Sequence, residues 1–285
     1  MSFSNLNSLA MTFLAQANTP EEFRKSLVGA LNESSPLDRN KAIALANHFK
    51  PESKKTLLLS DKVKKQVFGI VSKVFPGAYC VYGRKKDFLS YSQKLSDKLN
   101  VEDIKDIYAL RVILSDQVIN KEDTIAFSYR VLKALIDGLQ DLSYTIDVPL
   151  TNADKEKKSK TEKPSSEILK QIIVPKELDP ALSQYVAVFK NYVMFPKSNG
   201  YQGLHIILKT PEGIYIEIQV RTLTQHIWAE RGPASHDVNY KAGTEIDKLV
   251  AERGEEFIKV LATPTVIGQP LFRNTFRETF PDTEL

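Results

Sequence analysis

The sequence has few of the residues that form disulfides or bind transition metals. It contains one cysteine, Cys80, and four histidines among 285 residues. A disulfide framework needs paired cysteines, and a structural zinc site needs a close set of Cys and His ligands, so the sequence excludes both. Any metal bound by this chain must therefore be held mainly by carboxylates.

Common phosphate-binding motifs and targeting signals are also missing. Neither GxxxxGK[ST] nor GxGxxG after a predicted strand occurs, so P-loop and Rossmann sites are set aside. No run reaches the roughly 18 apolar residues of a membrane span. Residues 9–17 are mostly apolar, but no Lys or Arg precedes Arg24, and a signal peptide begins with a basic segment. We expect a soluble, cytoplasmic protein that does not contact a membrane.

The remaining composition is that of a globular protein with a slight excess of positive charge. Hydrophobic residues make up 42% of the chain, which is ample for a core. The 39 Lys and Arg residues exceed the 35 Asp and Glu residues, which gives a net charge of +4. This excess is well short of that of a histone-like protein. The length fits one large domain, or a core domain with a small helical extension.

Local patterns predict an N-terminal helical extension over residues 1–75, followed by a core domain over 76–243. Caps, early acids and apolar residues at helical spacing predict the helices of the extension, the third of them over 61–73. From residue 78 onward, short β-rich runs alternate with helices. The predicted strands are Ala78–Tyr82, Ile107–Leu114, Tyr144–Leu150, Leu204–Lys209 and Ile214–Val220, with a helix over Ile125–Leu139.

The last two predicted strands are joined by residues 210–213, whose Pro and Gly favour a hairpin. An antiparallel pair makes the sheet mixed instead of wholly parallel. The sequence therefore predicts an α+β fold with a mixed sheet of about five strands flanked by helices.

Two further segments differ from the core domain in composition. Residues 152–177 are polar and Lys-rich, and we interpret the first half of this segment as a mobile insertion. Residues 244–285 predict one amphipathic helix followed by a tail that contains Phe272, Phe276 and Phe280.

Several polar residues lie at the ends of predicted strands or inside them. Gly83–Lys86 follows the first strand and is predicted to open a helix that contains Ser90 and Lys94. The helix dipole disfavours cations in a first turn unless a polyphosphate binds there, although an exposed basic turn explains the same residues. Asp106 precedes the second strand. Arg111 interrupts that strand and needs an anion, which either a salt bridge or a ligand supplies.

The predicted strand Ile214–Val220 has one apolar face and one polar face. The polar face consists of Tyr215, Glu217 and Gln219. Arg221, the first residue after the strand, continues this face. An odd number of residues in the hairpin loop would place His205 on the same face. A polar face of this kind also suits contact with water. Glu217 and Asp106 would form a plausible pair of Mg²⁺ ligands, because Mg²⁺ takes one or two carboxylates and completes its shell with water and phosphate oxygens.

The loop before this hairpin presents Tyr201 beside Lys197, with the turn-forming pair Asn199-Gly200 between them. An aromatic ring beside a cation suits a nucleobase that stacks while its phosphates are neutralised. The same combination also occurs in ordinary hairpins.

Five segments, taken together and in this order, resemble the synthetase domain of the RelA/SpoT family of alarmone synthetases. They are GRKKDFLS (83–90) with Lys94, DIYALRV (106–112), PKSNGYQGLH (196–205), IEIQVRT (216–222) and HIWAERGPASHDVNYK (226–241). Each is a weak signal alone, whereas five in register are specific. The resemblance implies a nucleotidyltransferase-like synthetase fold and a small, single-domain member of the family.

The resemblance also implies an activity and its residues. The family transfers the β,γ-pyrophosphate of ATP to the 3′-hydroxyl of GDP or GTP, giving (p)ppGpp and AMP, with Mg²⁺ as cofactor. Such a transfer depends on positioning, cations and metal. Asp106 and Glu217 would serve Mg²⁺ and the attacking hydroxyl, with Glu217 as candidate base and Arg84 as a third catalytic residue. The implied ATP contacts are Arg84, Lys86, Ser90, Lys94 and Arg111. The implied acceptor contacts are Lys197, Asn199, Tyr201, His205 and Gln219, with Tyr201 stacking on guanine.

The match leaves two questions open at the level of the sequence. A charged four-residue motif ending in Asp usually precedes PKSNGY, whereas residues 188–191 read VFKN here, so the preference between GDP and GTP stays open. Some small members are toxins that modify the tRNA 3′ end or make adenine alarmones. The Lys-rich insertion would suit tRNA, since phosphate contacts dominate such affinity, although a solvated loop explains the same lysines.

Two alternatives concern partners and catalysis. The C-terminal tail could pack on the core, form a homo-oligomer interface or bind a neutralising partner. The chain could also be a nucleotide-binding or RNA-binding module without catalysis. Against that alternative stands the complete set Arg84, Asp106, Tyr201 and Glu217, because a decayed site would have lost a carboxylate.

Overall fold

The computed structural model describes residues 54–86, 101–117, 119–147, 164–177, 189–232 and 245–261, with single positions at 16–47, 91, 94, 95 and 234. The strands are β1 (Tyr79–Lys85), β2 (Tyr108–Leu114), β3 (Thr145–Asp147), β4 (Lys190–Asn191), β5 (Leu204–Lys209) and β6 (Tyr215–Thr222). The helices are α1 (Lys54–Val74), α2 (Lys121–Asp141), α3 (Ser166–Gln171), α4 (Leu223–Arg231), α5 (Glu245–Arg253) and α6 (Glu255–Leu261), with a 3₁₀ turn at Val101–Asp103. No helix in these ranges has the length and apolarity to cross a membrane.

The strands form one mixed sheet in the order β1-β2-β6-β5-β3, and β4 pairs with β5 beside β3. Only β2 and β6 are parallel, while the other pairs are antiparallel. The predicted α+β class and the mixed sheet are therefore confirmed. The strand β4 is not predicted from the sequence, because two residues are too few to show a periodic pattern. Residues 148–150 of the third predicted strand lie outside the described residues.

The first strand is longer than predicted. It runs to Lys85, and the backbone N–H of Lys86 donates to Ile107 O at 2.7 Å, which extends the pairing with the chain before β2. The prediction that Gly83–Lys86 opens a helix is wrong, because Gly83, Arg84 and Lys85 are strand residues and the dipole argument does not apply to them. Ser90 lies outside the described residues.

One face of the sheet carries the main core. Alternate residues of β2, β5 and β6 point into it, and the helices α1 and α2 cover it. The predicted third helix begins at Lys54 instead of residue 61. It buries Val63, Val67 and Val71, which are spaced by one helical turn, in this core. Burying each such side chain contributes about 1.5–3 kcal/mol. The domain limits near residues 75 and 243 stay predictions.

The C-terminal helices cover part of the opposite face. The predicted single helix is wrong, because α5 and α6 are separated by Gly254, whose φ of 60° is a conformation that side chains other than Gly rarely adopt. Val250 and Ile258 pack there against Cys80, Tyr82 and Ile113. Residues 152–163 of the Lys-rich region and 262–285 of the tail lie outside the described residues, and so do the predicted tRNA and partner contacts.

Candidate active site

The face of the sheet opposite the main core carries a row of polar residues across five strands. In the register of the sheet, neighbouring strands pair Tyr82 with Arg111, Arg111 with Gln219, Gln219 with His205 and His205 with Lys190. Side chains at directly paired positions point to the same face. The helices α5 and α6 cover one end of this face, and its other end contains Glu217.

His205 lies on this face, because the hairpin loop meets the condition of an odd length. Residues 210–214 join β5 to β6, so the loop is odd in length, and Ile207 pairs with Glu217 two positions from His205. His205 Nδ1 lies 3.2 Å from Glu217 Oε1. The polar face does not meet water, because Glu217, Gln219 and Arg221 are all buried.

Glu217 is surrounded by hydrogen-bond donors. Lys190 Nζ donates to Oε1 at 3.2 Å, and Gln219 Nε2 donates to Oε2 at 2.6 Å. Burial alone would raise the pKa of this carboxyl. The contacts with His205, Lys190 and Gln219 outweigh burial and hold the pKa of Glu217 well below its ordinary value. Glu217 is therefore ionised at neutral pH.

Asp106 is the second ionised carboxylate of this region. Lys86 Nζ donates to Oδ2 at 3.0 Å, and Lys94 Nζ donates to the same oxygen. Burial raises the pKa of Asp106, but Lys86 and Lys94 outweigh burial and lower it, while the charge of Glu217 acts in the opposite direction. The charge of Glu217 therefore acts on Asp106, although the role of the two carboxylates as a pair of metal ligands stays a prediction.

The two carboxylates fit a Mg²⁺ ion. In the described ranges, no group of three or more His, Cys, Asp and Glu residues gathers as a metal cage. Mg²⁺ does not need one, because one or two carboxylates with water and substrate oxygens complete its shell. Asp106 Oδ1 is buried and has no hydrogen-bond partner, so this oxygen is available to a ligand. Neighbouring lysines supply the cations that a polyphosphate requires.

His205 links Glu217 to Tyr201. Burial lowers the pKa of His205 to about 4, so its ring is neutral at pH 7. A neutral ring can donate from one nitrogen only. Nδ1–H donating to Glu217 leaves Nε2 to accept from the Tyr201 hydroxyl at 2.7 Å. Arg221 Nη2 donates to the same hydroxyl at 2.6 Å, which fixes the direction of the chain from arginine to carboxylate.

The Tyr201 ring lies among cations. Lys197 Nζ is 4.8 Å from its centroid, and the Arg221 guanidinium carbon is also at 4.8 Å. Asn199 Oδ1 accepts from the backbone N–H of Tyr201 at 3.2 Å, so this side chain shapes the turn. Gly200 has a φ of 76°, and an added Cβ would lie 2.7 Å from Ile168 Cγ2, so only Gly fits. The acceptor roles of Lys197, Asn199 and Tyr201 stay predictions.

Arg111 meets protein anions, as the salt-bridge alternative requires. It forms ion pairs with Asp247 and, at 3.2 Å, with Glu230, and both pairs are buried. Burial would lower the pKa of Arg111, but Asp247 and Glu230 raise it well above its ordinary value. Arg111 Nε and Arg221 Nη2 both donate to Gln219 Oε1, at 3.3 and 2.9 Å. The predicted contact of Arg111 with ATP stays a prediction.

Gln219 connects the arginines to the candidate base. Its amide nitrogen contacts Glu217 and its amide oxygen contacts Arg111 and Arg221, so both polar atoms are used within the protein. We infer that Gln219 positions Glu217, and its predicted contact with the acceptor nucleotide stays a prediction. Arg84 lies on β1 opposite Ala109, which itself pairs with Glu217 on β6.

Three residues of this region, Lys190, Tyr192 and Asp247, have no predicted role. Lys190 belongs to the segment 188–191, which departs from the charged motif of the family. In the structure, it is an ion-pair partner of Glu217. The Tyr192 ring packs edge-on against the rings of Tyr201 and His205. Asp247 is fully buried against Arg111. The buried arginine was the signal for such an anion, but nothing in the sequence indicates which residue supplies it.

The buried histidines predict how stability depends on pH. Burial lowers the pKa of His226, as it lowers that of His205, to about 4, against an ordinary value of 6.5. Between these pH values the unfolded chain binds protons that the folded chain does not. The free energy of unfolding is therefore expected to fall as the pH drops from 6.5 to 4, at most by about 1.4 kcal/mol per pH unit for each histidine.

Urea unfolding of the wild type and of His226→Gln between pH 4 and 7.5 measures this dependence. In the variant, the free energy of unfolding is expected to depend less steeply on pH, by the contribution of one proton, because Gln does not titrate. An unchanged slope in the variant would show that His226 is already protonated in the folded state.

The family model described as "Region found in RelA / SpoT proteins" matches residues 83–245. A guanosine-3′,5′-bis(diphosphate) 3′-pyrophosphohydrolase of Spiroplasma citri is 26% identical over 233 residues, which are 80% of this chain and 24% of that protein. A GTP pyrophosphokinase of Photobacterium angustum is 50% identical over 56 residues, 20% of this chain and 7% of that protein. The chain thus spans a quarter or less of the length of these relatives.

Solved structures with similarity include the small alarmone synthetase 2 of Bacillus subtilis, with 22% identity and a TM-score of 0.38 over 73% of this chain and 93% of that one. Another is the small alarmone synthetase 1 of the same organism bound to its product pppGpp, with 16% identity and a TM-score of 0.33 over 72% and 88%. The family model spans more than half of the chain and includes all the predicted site residues. The chain therefore belongs to the RelA/SpoT family.

Proposed function

We propose that this chain is a Mg²⁺-dependent pyrophosphokinase that transfers the β,γ-pyrophosphate of ATP to the 3′-hydroxyl of GDP or GTP, giving (p)ppGpp and AMP. The observation that carries the proposal is the pair of ionised carboxylates, Asp106 and Glu217, set among the ammonium groups of Lys86, Lys94 and Lys190. The pair lies within the region that the family model matches. One of the relatives, that of Photobacterium angustum, is named a GTP pyrophosphokinase, which is the proposed activity.

The lysines supply the positive charge that pyrophosphoryl transfer needs. In the transition state of this reaction, negative charge spreads over the transferred pyrophosphoryl group. Fixed cations stabilise this transition state more than they stabilise the ground state. Lys86 is buried and held by Asp106, whereas the side chain of Lys94 is 43% exposed and reaches the solvent side. We assign the ATP phosphates to these two lysines and to Arg84.

Asp106 and Glu217 would hold the Mg²⁺ ion, and Asp106 Oδ1 is the oxygen with no protein partner. A bound Mg²⁺ ion would neutralise phosphate charge and orient the donor. Lys86, Lys94 and Lys190 pair with these carboxylates in the structure. With Mg²⁺ on the carboxylates, the three lysines would donate to the phosphate oxygens of the substrates.

Glu217 is a weak base as the protein holds it, because three donors stabilise its ionised form. A carboxylate becomes more basic when a donor leaves it. Lys190, with 19% of its side chain exposed, is the donor closest to solvent, since His205 and Gln219 are buried. We infer that an acceptor phosphate draws Lys190 away, which raises the pKa of Glu217 toward the range that suits a base for the 3′-hydroxyl.

Tyr201 has two separable parts in this scheme. Tyr201→Leu removes the ring, and stacking contributes about 1–3 kcal/mol per base, so the KM of the acceptor is expected to rise roughly 5- to 150-fold. Tyr201→Phe keeps the ring but removes the hydroxyl that joins Arg221 to His205, so kcat is expected to fall about tenfold with little change in KM.

Initial rates at varied acceptor concentration measure both effects. Tyr215→Leu is the matched control, since Tyr215 begins β6 and contacts Lys105 and Lys209 instead of the site. Equal KM values in Tyr201→Leu and the wild type would contradict the stacking role.

The experiment that tests the function is transfer of label from γ-labelled ATP with Mg²⁺ to GDP, GTP, ATP alone or deacylated tRNA, in parallel. We expect label on GDP or GTP, and the ratio of the two rates gives the acceptor preference. Label only on tRNA or on an adenine nucleotide would contradict the proposed acceptor. No transfer to any acceptor would contradict the proposed reaction.

A further inference from the structure

A cavity of about 70 Å³ lies at the end of the sheet away from Asp106. It is bounded by the residues that follow the parallel strands β2 and β6, by the first turns of α2 and α4, and by the chain at 171–173. About 10–15 Å³ on this measure holds one water molecule, so the cavity has room for roughly five to seven water molecules or one small organic molecule. Ligands often bind beyond the carboxyl ends of parallel strands.

The walls of this cavity are mostly apolar. Ile125 of α2, Ile173 and the ring of Trp228 line it. Apolar walls exclude charged ligands without a hydrocarbon part and favour the burial of an aliphatic chain.

One of the residues that line the cavity has a buried donor without a partner. Gln225 is 5% exposed, and its Oε1 accepts from the backbone N–H of Thr222 at 3.0 Å, as part of the box that caps α4. Its Nε2 is buried and has no hydrogen-bond partner. A buried amide N–H without an acceptor is costly, and a ligand oxygen would satisfy it.

Two opposite charges also line the cavity. Lys121 begins α2 and is exposed, and Asp116 is half-buried with Oδ2 accepting from the backbone N–H of Thr224 at 3.2 Å. A ligand with one anionic and one cationic group would match both charges. A simple carboxylate or a simple amine would match only one.

We propose that this cavity binds a small free α-amino acid with an aliphatic side chain of roughly three or four carbons. The carboxylate accepts from Gln225 Nε2 and pairs with Lys121, and the ammonium group pairs with Asp116. The aliphatic chain packs between Ile173 and Trp228.

The cavity is connected to the loop that carries Tyr201. Trp228 Nε1 donates to Asn199 O at 3.2 Å, and Asn199 Oδ1 accepts from the backbone N–H of Tyr201. Gly200 also lines the cavity, and its position for a Cβ is 2.9 Å from Trp228 Nε1. A ligand that moves Trp228 would therefore move this loop. This effect on acceptor binding rests on the proposed function, whereas binding of the amino acid does not.

Trp228 reports binding directly, because it is the only tryptophan of the chain. The full chain is titrated with L-leucine while tryptophan fluorescence is followed, without ATP or acceptor. We expect a saturable change with half-saturation below about 10 mM. L-Leucinamide lacks the carboxylate and N-acetyl-L-leucine lacks the ammonium group, so each is expected to bind at least roughly tenfold more weakly. L-Serine lacks the aliphatic chain and is expected to give no saturable change.

The matched variant is Gln225→Glu. Glu keeps the oxygen that caps Thr222 and replaces the donor Nε2 by an oxygen that repels a carboxylate, so binding of L-leucine is expected to weaken at least roughly tenfold. Gln140→Glu is the control, since Gln140 is exposed on α2. No saturable change with L-leucine, equal binding of L-leucinamide, or unchanged binding by Gln225→Glu would each overturn the proposal. A failure of the proposed transfer reaction would leave these results unaffected.

Discussion

Replacing Glu217 by Gln is expected to lower the rate of pyrophosphoryl transfer by roughly 10²–10⁴-fold, the range that a positioned general base contributes. Gln has nearly the same shape and can still accept hydrogen bonds, but it carries no charge and takes up no proton. Glu217 is buried among Lys190, His205 and Gln219, so no other described carboxylate replaces it at this position.

The measurement is AMP formation at saturating ATP and GDP, together with the far-UV circular dichroism spectrum and the thermal melting curve of each protein. Glu212→Gln, in the exposed hairpin turn, is the control and should retain full activity. A Glu217→Gln protein with activity within threefold of the wild type would show that Glu217 is not part of the reaction.

Replacing Asp247 by Asn is expected to lower the free energy of unfolding by about 3–5 kcal/mol, the range measured when one partner of a buried ion pair is removed. Asp247 is fully buried, and Arg111 is 4% exposed on the central part of the sheet. Glu230 still faces Arg111 at 3.2 Å, so the lower end of this range is expected. The change is large because the variant leaves a buried guanidinium short of one of its two anions.

Urea unfolding at pH 7.5 measures this loss. Asp137→Asn is the control, because Asp137 pairs with Lys133 on the surface of α2, and exposed pairs contribute at most about 1 kcal/mol. The double variant Arg111→Met with Asp247→Leu removes both charges and should regain most of the stability of the wild type. A loss below about 1 kcal/mol in Asp247→Asn would show that the pair is not a structural ion pair.

The polar face of the site was predictable because a strand has a period of two. The alternation in Ile214–Val220 separated Glu217 and Gln219 from the apolar residues. The face on which His205 lies was not fixed, because the predicted strands enclose the four residues 210–213, whereas the strands of the structure enclose the five residues 210–214. The prediction of a mixed sheet followed from the same hairpin, because an antiparallel pair excludes a wholly parallel sheet.

The partners of the site residues were not predictable, because they come from distant parts of the chain. The sequence indicated that Arg111 needs an anion, but the anion is Asp247, which lies on α5 and had been assigned to an amphipathic helix. Lys190 pairs with Glu217 only because β4, two residues long, adds to the edge of β5. Such contacts depend on packing over long sequence separation and leave no local pattern.

Two element boundaries were wrong for local reasons. The first strand is predicted to end at Tyr82, with a helix opening at Gly83, yet β1 continues through Gly83 to Lys85, where pairing with β2 outweighs propensity. Gly254 was included in a helix because the apolar spacing continues on both sides, yet its positive φ separates α5 from α6.

The ratio of AMP to guanosine product in a single reaction tests the central claim most directly. Purified protein is incubated with ATP, GDP and Mg²⁺, and all nucleotides are separated and quantified by ion-exchange chromatography. Transfer of pyrophosphate from ATP to the 3′-hydroxyl predicts one AMP for each guanosine carrying four phosphates, and neither forms in Glu217→Gln. Formation of ADP with GTP, or of ADP with free phosphate, would show transfer or hydrolysis of a single phosphoryl group and would contradict the assignment.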